Sequence, residues 1–375
     1  MKIIIKLLLL VLTSTLLVQC NNSKENSKKS AQFPVKAGNN WAFIDTTCTY
    51  VVEPKFEGAS DFFCGRALIT RSNKIAYINQ YGEIKSSFTY TNGTDFSENF
   101  AFVLDSLNII SCIDTSMKVQ FVLKEIEEVH SFNEGFAAFR KEGKFGFINL
   151  KGNVVIPCIY DAALDFSEGV CGVANLIGTE DSTYYDWFFI DKTGKKIINQ
   201  NFEEVNEFKM GLSAVKLNGK FGWIDRSGKF IYGNEFEECK SFSEGFARFT
   251  LNGAWGLINR LGKIVVEPSF MAIGDMHEGL AMISLGPGNS TGYIDSTGKI
   301  VIKPIYQSAS FFKNGYAYVA KNNRISVINK SGKLYCDEQF ESVPGFLGAD
   351  LGFLNFSMNS RLEINVDTVS TINLK

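Results

Sequence analysis

Histidine is almost missing from the 375-residue chain, which carries two copies, His130 and His277. Acid–base and metal chemistry lean heavily on that residue, so both start from a poor supply. A surplus of charge of one sign is missing too, with 38 basic side chains against 40 acidic ones and a formal charge of −2. Without a basic cluster the chain has no electrostatic footprint for phosphates, which tells against nucleic acid as a partner. It has no C-x-x-C pair, and serine nucleophile elbows, P-loops and H-E-x-x-H are all read as absent. No stretch carries an amphipathic helical period of useful length. What is present is an ordinary globular balance, 45% hydrophobic and 21% charged, with one excess: 33 phenylalanines.

The N-terminus reads as a targeting segment. Lys2 and Lys6 precede an apolar run from Leu7 to Val18, broken only by Thr13, Ser14 and Thr15. A bilayer span needs roughly 20 apolar residues, so this shorter run reads as a removable signal. It ends Leu17-Val18-Gln19-Cys20 and turns polar at once. These four residues resemble a bacterial lipoprotein signal, cut before a cysteine that carries diacylglycerol; Gln19 departs from the Gly, Ala or Ser usual there. The resemblance implies a signal peptide over 1–19 and a Cys20 bearing acyl chains, palmitate among them, buried in a membrane. The alternative is an ordinary secretory signal with Cys20 incidental. Losing two lysines and no acids leaves a mature net charge of −4. Residues 20–38, rich in Lys, Ser and Asn, read as a flexible tether.

Internal periodicity decides the fold class. An Ile followed by Asp or Asn stands at 44, 78, 113, 148, 190, 224, 258, 294 and 328, with spacings of 34, 35, 35, 42, 34, 34, 36 and 34. Nine acids or amides in register could suggest metal ligands or catalytic carboxylates. Free alternation of Asp with Asn suits a turn better, the side chain bonding its own backbone while Gly closes the hairpin three residues on. That Gly is present in seven units, with Cys48 and Met117 as the exceptions. Before the Ile runs a strand with both faces apolar, such as Phe221-Gly222-Trp223-Ile224, with a small residue at its second-last position. After the turn comes a β-rich run such as Lys263-Ile264-Val265-Val266-Glu267-Pro268, and the Pro tells against a central strand continuing past it. Aromatics recur twelve and eighteen residues after the Ile, the latter at Phe62, Phe96, Phe166, Phe208, Phe242 and Phe312, with Phe132 slipped by one. At fixed positions they form a shared core. A second turn follows, seen in Asn133-Glu134-Gly135, Ser167-Glu168-Gly169 and Ser243-Glu244-Gly245, then a short strand. Each unit is therefore a β-meander of three good strands, with a fourth weak one around the aromatic at plus twelve.

Strings such as Gly219-Lys220-Phe221-Gly222-Trp223-Ile224-Asp225 resemble the WG, or KWG, repeat. The resemblance runs from about Asn40 to Phe346 and is strongest in units four to eight. The first three diverge, which suits capping units. It implies a β-repeat scaffold of bacterial envelope and secreted proteins, and no reaction.

The expected fold is all-β, with tandem repeats of roughly 35 residues forming one array; a propeller-like ring and an open β-solenoid remain alternatives. The expected organisation is a signal peptide over 1–19, a lipid-anchored tether over 20–38, nine repeats over 39–347 and a C-terminal cap over 348–375. Within the cap, the alternation Leu362-Glu363-Ile364-Asn365-Val366 suggests a closing strand. The cysteines after Cys20, namely Cys48, Cys64, Cys112, Cys158, Cys171, Cys239 and Cys336, occupy seven different repeat positions. They read as buried apolar residues, with one chance disulfide left open. His130 and His277 differ in repeat position, and His277 reads as a polar turn residue.

Two places break the repeat. Gly286-Pro287-Gly288-Asn289 is a turn-rich loop. The 42-residue spacing inserts about seven residues around Gly178 to Tyr185, so that Tyr184 and Tyr185, with Trp187 behind them, could dock a partner or stack on a sugar. The function expected is a non-catalytic envelope lipoprotein, periplasmic or surface-facing, that binds a protein. A glycan-binding accessory protein is the alternative, and a hydrolase ranks last. No cofactor, metal or catalytic residue is expected.

Overall fold

The computed structural model describes residues 30, 33–179, 182–288, 290–340, 353–354 and 360–363. The signal peptide, Cys20, the loop tip at 180–181 and residues 364–366 of the expected closing strand lie outside them. Each repeat begins with the turn that its Asp or Asn builds. In all nine units the Oδ1 accepts the amides two and four residues on, as in Thr193 N and Lys195 N to Asp191 at 2.9 and 3.1 Å, or Ser331 N and Lys333 N to Asn329 at 3.0 Å each. The closing residue is left-handed, including at Cys48 (φ 62°) and Met117 (φ 69°).

The flanking segments pair antiparallel into nine sheets, whose three or four principal strands each come from one contiguous stretch of chain. The fourth sheet is representative: Glu128–His130, Phe136–Lys141, Lys144–Asn149 and Val154–Tyr160, in that order. The strand following the turn does run through its proline, at Pro157, Pro268 and Pro304, ending at the aromatic at plus twelve. It can because it is an outer edge strand with a register shift, where a missing N–H costs nothing. The weak fourth strand lies two or three residues further on and is the inner edge, as in Ala162–Ala163 and Cys239 with Glu238.

Nine hydrophobic clusters each join one sheet to the next. Phe147, Ile156 and Tyr160 of the fourth meet Phe166, Val173 and Ile190 of the fifth. The Phe at plus eighteen meets the aromatic of the preceding sheet edge-on, as in Tyr77–Phe96 and Phe189–Phe208 at 4.9 Å each. The ninth cluster packs Phe33, Val35, Ala42 and Ile44 of the first sheet on Tyr318, Val327 and Phe340 of the last. The array therefore closes into a ring, a nine-bladed β-propeller, rather than remaining an open solenoid.

Closure changes three expectations. Phe33–Ala37, placed in the tether by its neighbours' polarity, is the first strand of blade 1, because Phe33 and Val35 alternate inward. The divergent first units are not caps, since blade 1 packs on blade 9. Two cysteines do pair: Cys48 and Cys336 form a disulfide across the seam, while Cys112, Cys171 and Cys239 are buried and free. Tyr318 Oη also donates to Pro34 O at 3.4 Å, and Lys313 in blade 9 meets Asp61 in blade 2 at 2.5 Å. Of the expected cap, Phe353–Leu354 pairs parallel to the inner edge of blade 9, and Arg361–Glu363 pairs antiparallel to that of blade 4.

Candidate docking surface

The insertion in the fifth unit is not a loop but a lengthening of two strands. Val170–Thr179 and Ser182–Asp191 run ten residues each, against five or six in the matching pairs of other blades. Beyond Ala174 and Trp187 this ribbon pairs with no third strand among the described residues. Tyr185 stands opposite Leu176, and Tyr184 opposite Ile177. Neighbouring residues of a strand point to opposite faces, so the two tyrosines diverge, each with an aliphatic partner. Tyr184 is 58% exposed and Tyr185 45%. Trp187 is half-buried against the blade 5–blade 6 core, its ring 6.1 Å from that of Tyr185. The three aromatics therefore do not form one platform; the ribbon presents a small apolar patch on each face.

His130 is not a turn residue. It lies buried at the inner edge of blade 4, with Nδ1 2.9 Å from Asp165 of blade 5 and Nε2 3.1 Å from Glu128. Burial alone would lower its pKa, but the bonds to Asp165 and Glu128 reverse that and raise it. Glu128 is held below its ordinary value chiefly by the same bond. Arg361 stands 3.8 Å from Glu128. With both ring nitrogens engaged, the imidazole offers no lone pair to a metal, and no three-residue metal-binding group occurs among the described residues. His277 is a turn residue, its amide donating to Leu280 O, and its half-buried ring stacks on Phe311 at 4.3 Å. The string Gly288-Asn289-Ser290-Thr291-Gly292 has elbow spacing, but Thr291 and Gly292 open a strand of blade 8, and the Ser290 hydroxyl donates to Gly286 O.

The Glu-Gly turns conceal a ladder that the sequence shows only as turns. The Glu of one blade accepts one or both amides of the next blade's turn. Glu134 holds Glu168 N and Gly169 N at 2.5 and 2.7 Å; Glu168 holds Met210 N and Gly211 N at 2.6 and 2.8 Å. Glu244 holds Glu278 N and Gly279 N at 2.7 Å each. Glu98 and Glu278 each hold one amide, of Gly135 and Gly315, at 2.9 Å. A cation backs three of them: Lys192 on Glu134, Arg226 on Glu168 and Lys330 on Glu278. A recurrent Glu in a left-handed turn, where Gly or Asn would be easier, is the signal that could have revealed it.

A closed ring of nine sheets, each packed on the next, defines a β-propeller. Its family is established by sequence. The family described as WG containing repeat matches residues 41–74, 76–105, 111–145, 145–175, 187–221, 221–253, 255–286 and 292–324, so the chain belongs to that family. No curated protein matches the chain in sequence. Among solved structures it resembles a eukaryotic initiation factor at 10% identity, over 84% of this chain and 97% of that one, with a TM-score of 0.59. It also aligns with BamB from Moraxella catarrhalis (11% identity, 80% and 93% covered, TM-score 0.32) and the WD40 β-propeller domain of Doa1 (11%, 72% and 97%, 0.31). At these identities the shared property is the fold, and the first superposition alone is close enough to speak for it.

Proposed function

We propose that this propeller is a non-catalytic scaffold of the bacterial cell envelope, held to a membrane by lipid on Cys20 and docking a protein partner through the blade 5 ribbon. The carrying observation is that ribbon. Four apolar side chains, Leu176, Ile177, Tyr184 and Tyr185, stand exposed on two strands whose outer edges lack a neighbour. An extended segment of a partner can add to such an edge, its side chains meeting the aliphatic–tyrosine pairs. Divergence of the two tyrosines favours a protein over a sugar ring, which would need them on one side. The Cys48–Cys336 disulfide supports an oxidising compartment.

In cross-linking from intact cells, the wild type is expected to capture an envelope protein that the Tyr184→Ala/Tyr185→Ala double variant loses while keeping its melting temperature. Undiminished capture would remove the ribbon from the interface. Sugar binding on a glycan array, abolished by the same variant, would establish the glycan alternative instead. Cys20→Ala should move the protein from the membrane to the soluble fraction; retention on membranes would refute the anchor.

A further inference from the structure

The Glu ladder is interrupted at blade 6, as it is at Cys64 of blade 2, whose turn is left-handed in the same way (φ 48°). Blade 6 carries Met210 where blades 4, 5, 7 and 8 carry Glu134, Glu168, Glu244 and Glu278, and its backbone is left-handed like theirs (φ 56°). The next turn, Glu244-Gly245, therefore receives a thioether in place of a carboxylate: Met210 Sδ lies 3.1 Å from Gly245 N. The Glu244 amide has no hydrogen-bond partner among the described residues. Sulfur is a weak acceptor, so a pair of aligned donors that three sister junctions satisfy with an anion is left nearly unsatisfied here.

The matching cation is still present. Lys192, Arg226 and Lys330 occupy the second position after the repeat Ile and pair with the ladder Glu of the preceding blade. In blade 7 that position is Arg260. Its amide donates to Gly245 O at 2.9 Å, and a methyl built on Gly211 would stand 3.5 Å from its Nη2. The guanidinium is exposed and pairs with no acid among the described residues. The ladder acid of the preceding junction, Glu168, is already taken by Met210 N and Gly211 N and by Arg226.

We propose that the junction of blades 6 and 7 is a carboxylate-binding site, in which the Glu244 and Gly245 amides and the Arg260 guanidinium take an external carboxylate at the place the missing ladder Glu would fill. The junctions at Glu134 and Glu168 give its stereochemistry: one oxygen on each amide, the cation behind. Met210 has three rotatable bonds and no charge to defend, so it can swing aside as a carboxylate enters. Charge-assisted bonds from two amides and an arginine are stronger than the neutral contact they replace.

The test is an NMR titration of the full mature chain, reading the Glu244 and Gly245 amide shifts. One arm uses sodium acetate, the other a glutamate tripeptide with both termini blocked. Saturable shifts at both amides are expected, abolished by Arg260→Gln and by Met210→Glu, whose own carboxylate fills the site. Met210→Glu should also raise the melting temperature. Lower half-saturation for the peptide would identify an acidic side chain of a protein as the ligand; equal values would identify a free carboxylate anion. Shifts that grow linearly without saturating, or that persist unchanged in Arg260→Gln, would overturn the proposal, and Arg260→Gln serves even if Met210→Glu fails to fold.

Discussion

Gly146 sits in the middle of a strand, where glycine is ordinarily a weakness. The outer strand bulges towards it at Pro157, so a Cβ at 146 would stand 2.6 Å from Ile156 O and 2.8 Å from both Cys158 N and Pro157 C. The small residue thus serves an approach inside the blade rather than between blades. Because every clashing atom is backbone, Gly146→Ala is expected to lower stability by about 1–3 kcal/mol, measured by thermal or urea unfolding. His130 supplies a prediction of a different kind. Its folded pKa is raised above the unfolded value by Asp165 and Glu128. The stability it contributes is therefore complete below about pH 6.5 and lost as pH rises through the raised folded value. Melting temperatures across that window should fall for the wild type relative to His130→Gln; parallel curves would show that the pair is energetically silent.

Elements legible in the sequence were those that repeat with distinctive chemistry. The turn Asp and Asn, its left-handed Gly and the Phe at plus eighteen each recur nine or nearly nine times, and each does in space what its residue type suggests. Inner strands of two residues were not legible, because so short a run carries no alternation to detect. The Glu ladder was hidden for another reason: Ser-Glu-Gly is sufficient as a turn, and nothing local says that the carboxylate reaches the next blade. Nor could the partner of Arg361–Glu363 be read, since it lies more than two hundred residues upstream and pairs over three positions. That strand should matter beyond its length. Leu362 is fully buried between blades 3 and 4 with Phe102, Val129 and Phe139, and Ser131 N donates to Ser360 O at 2.7 Å. Leu362→Ala is expected to cost about 2–5 kcal/mol locally, seen as faster amide exchange at Val129 and Ser131. Unchanged exchange there would mean the strand is a passive passenger.

For the whole molecule, one number escaped the sequence: the rotation from each unit to the next, which decides between ring and solenoid and leaves no trace in a period. Closure had a witness in Cys48, which takes a turn position that glycine holds in seven of the nine units, but a lone departure does not name its partner 288 residues away. A cross-link closing so long a loop restricts the unfolded chain strongly, by about 2–5 kcal/mol. The Cys48→Ser/Cys336→Ser double variant should lose that much stability in urea unfolding, and the wild type should match it in reductant; equal stability in both states would show that the seam is held by packing alone.

The disulfide also sets how the ring answers force. Blades 1 and 9 share no strand, so tension entering at residue 33 from a tether would peel the first hairpin away from its neighbours one contact at a time. With Cys48 bonded to Cys336, that pull divides at the second strand's end and runs round the ring in both directions, so peeling stops where the bond begins. Forced unfolding is governed by rate rather than by equilibrium stability. The oxidised protein is thus a closed shackle on its line and the reduced one an open hook.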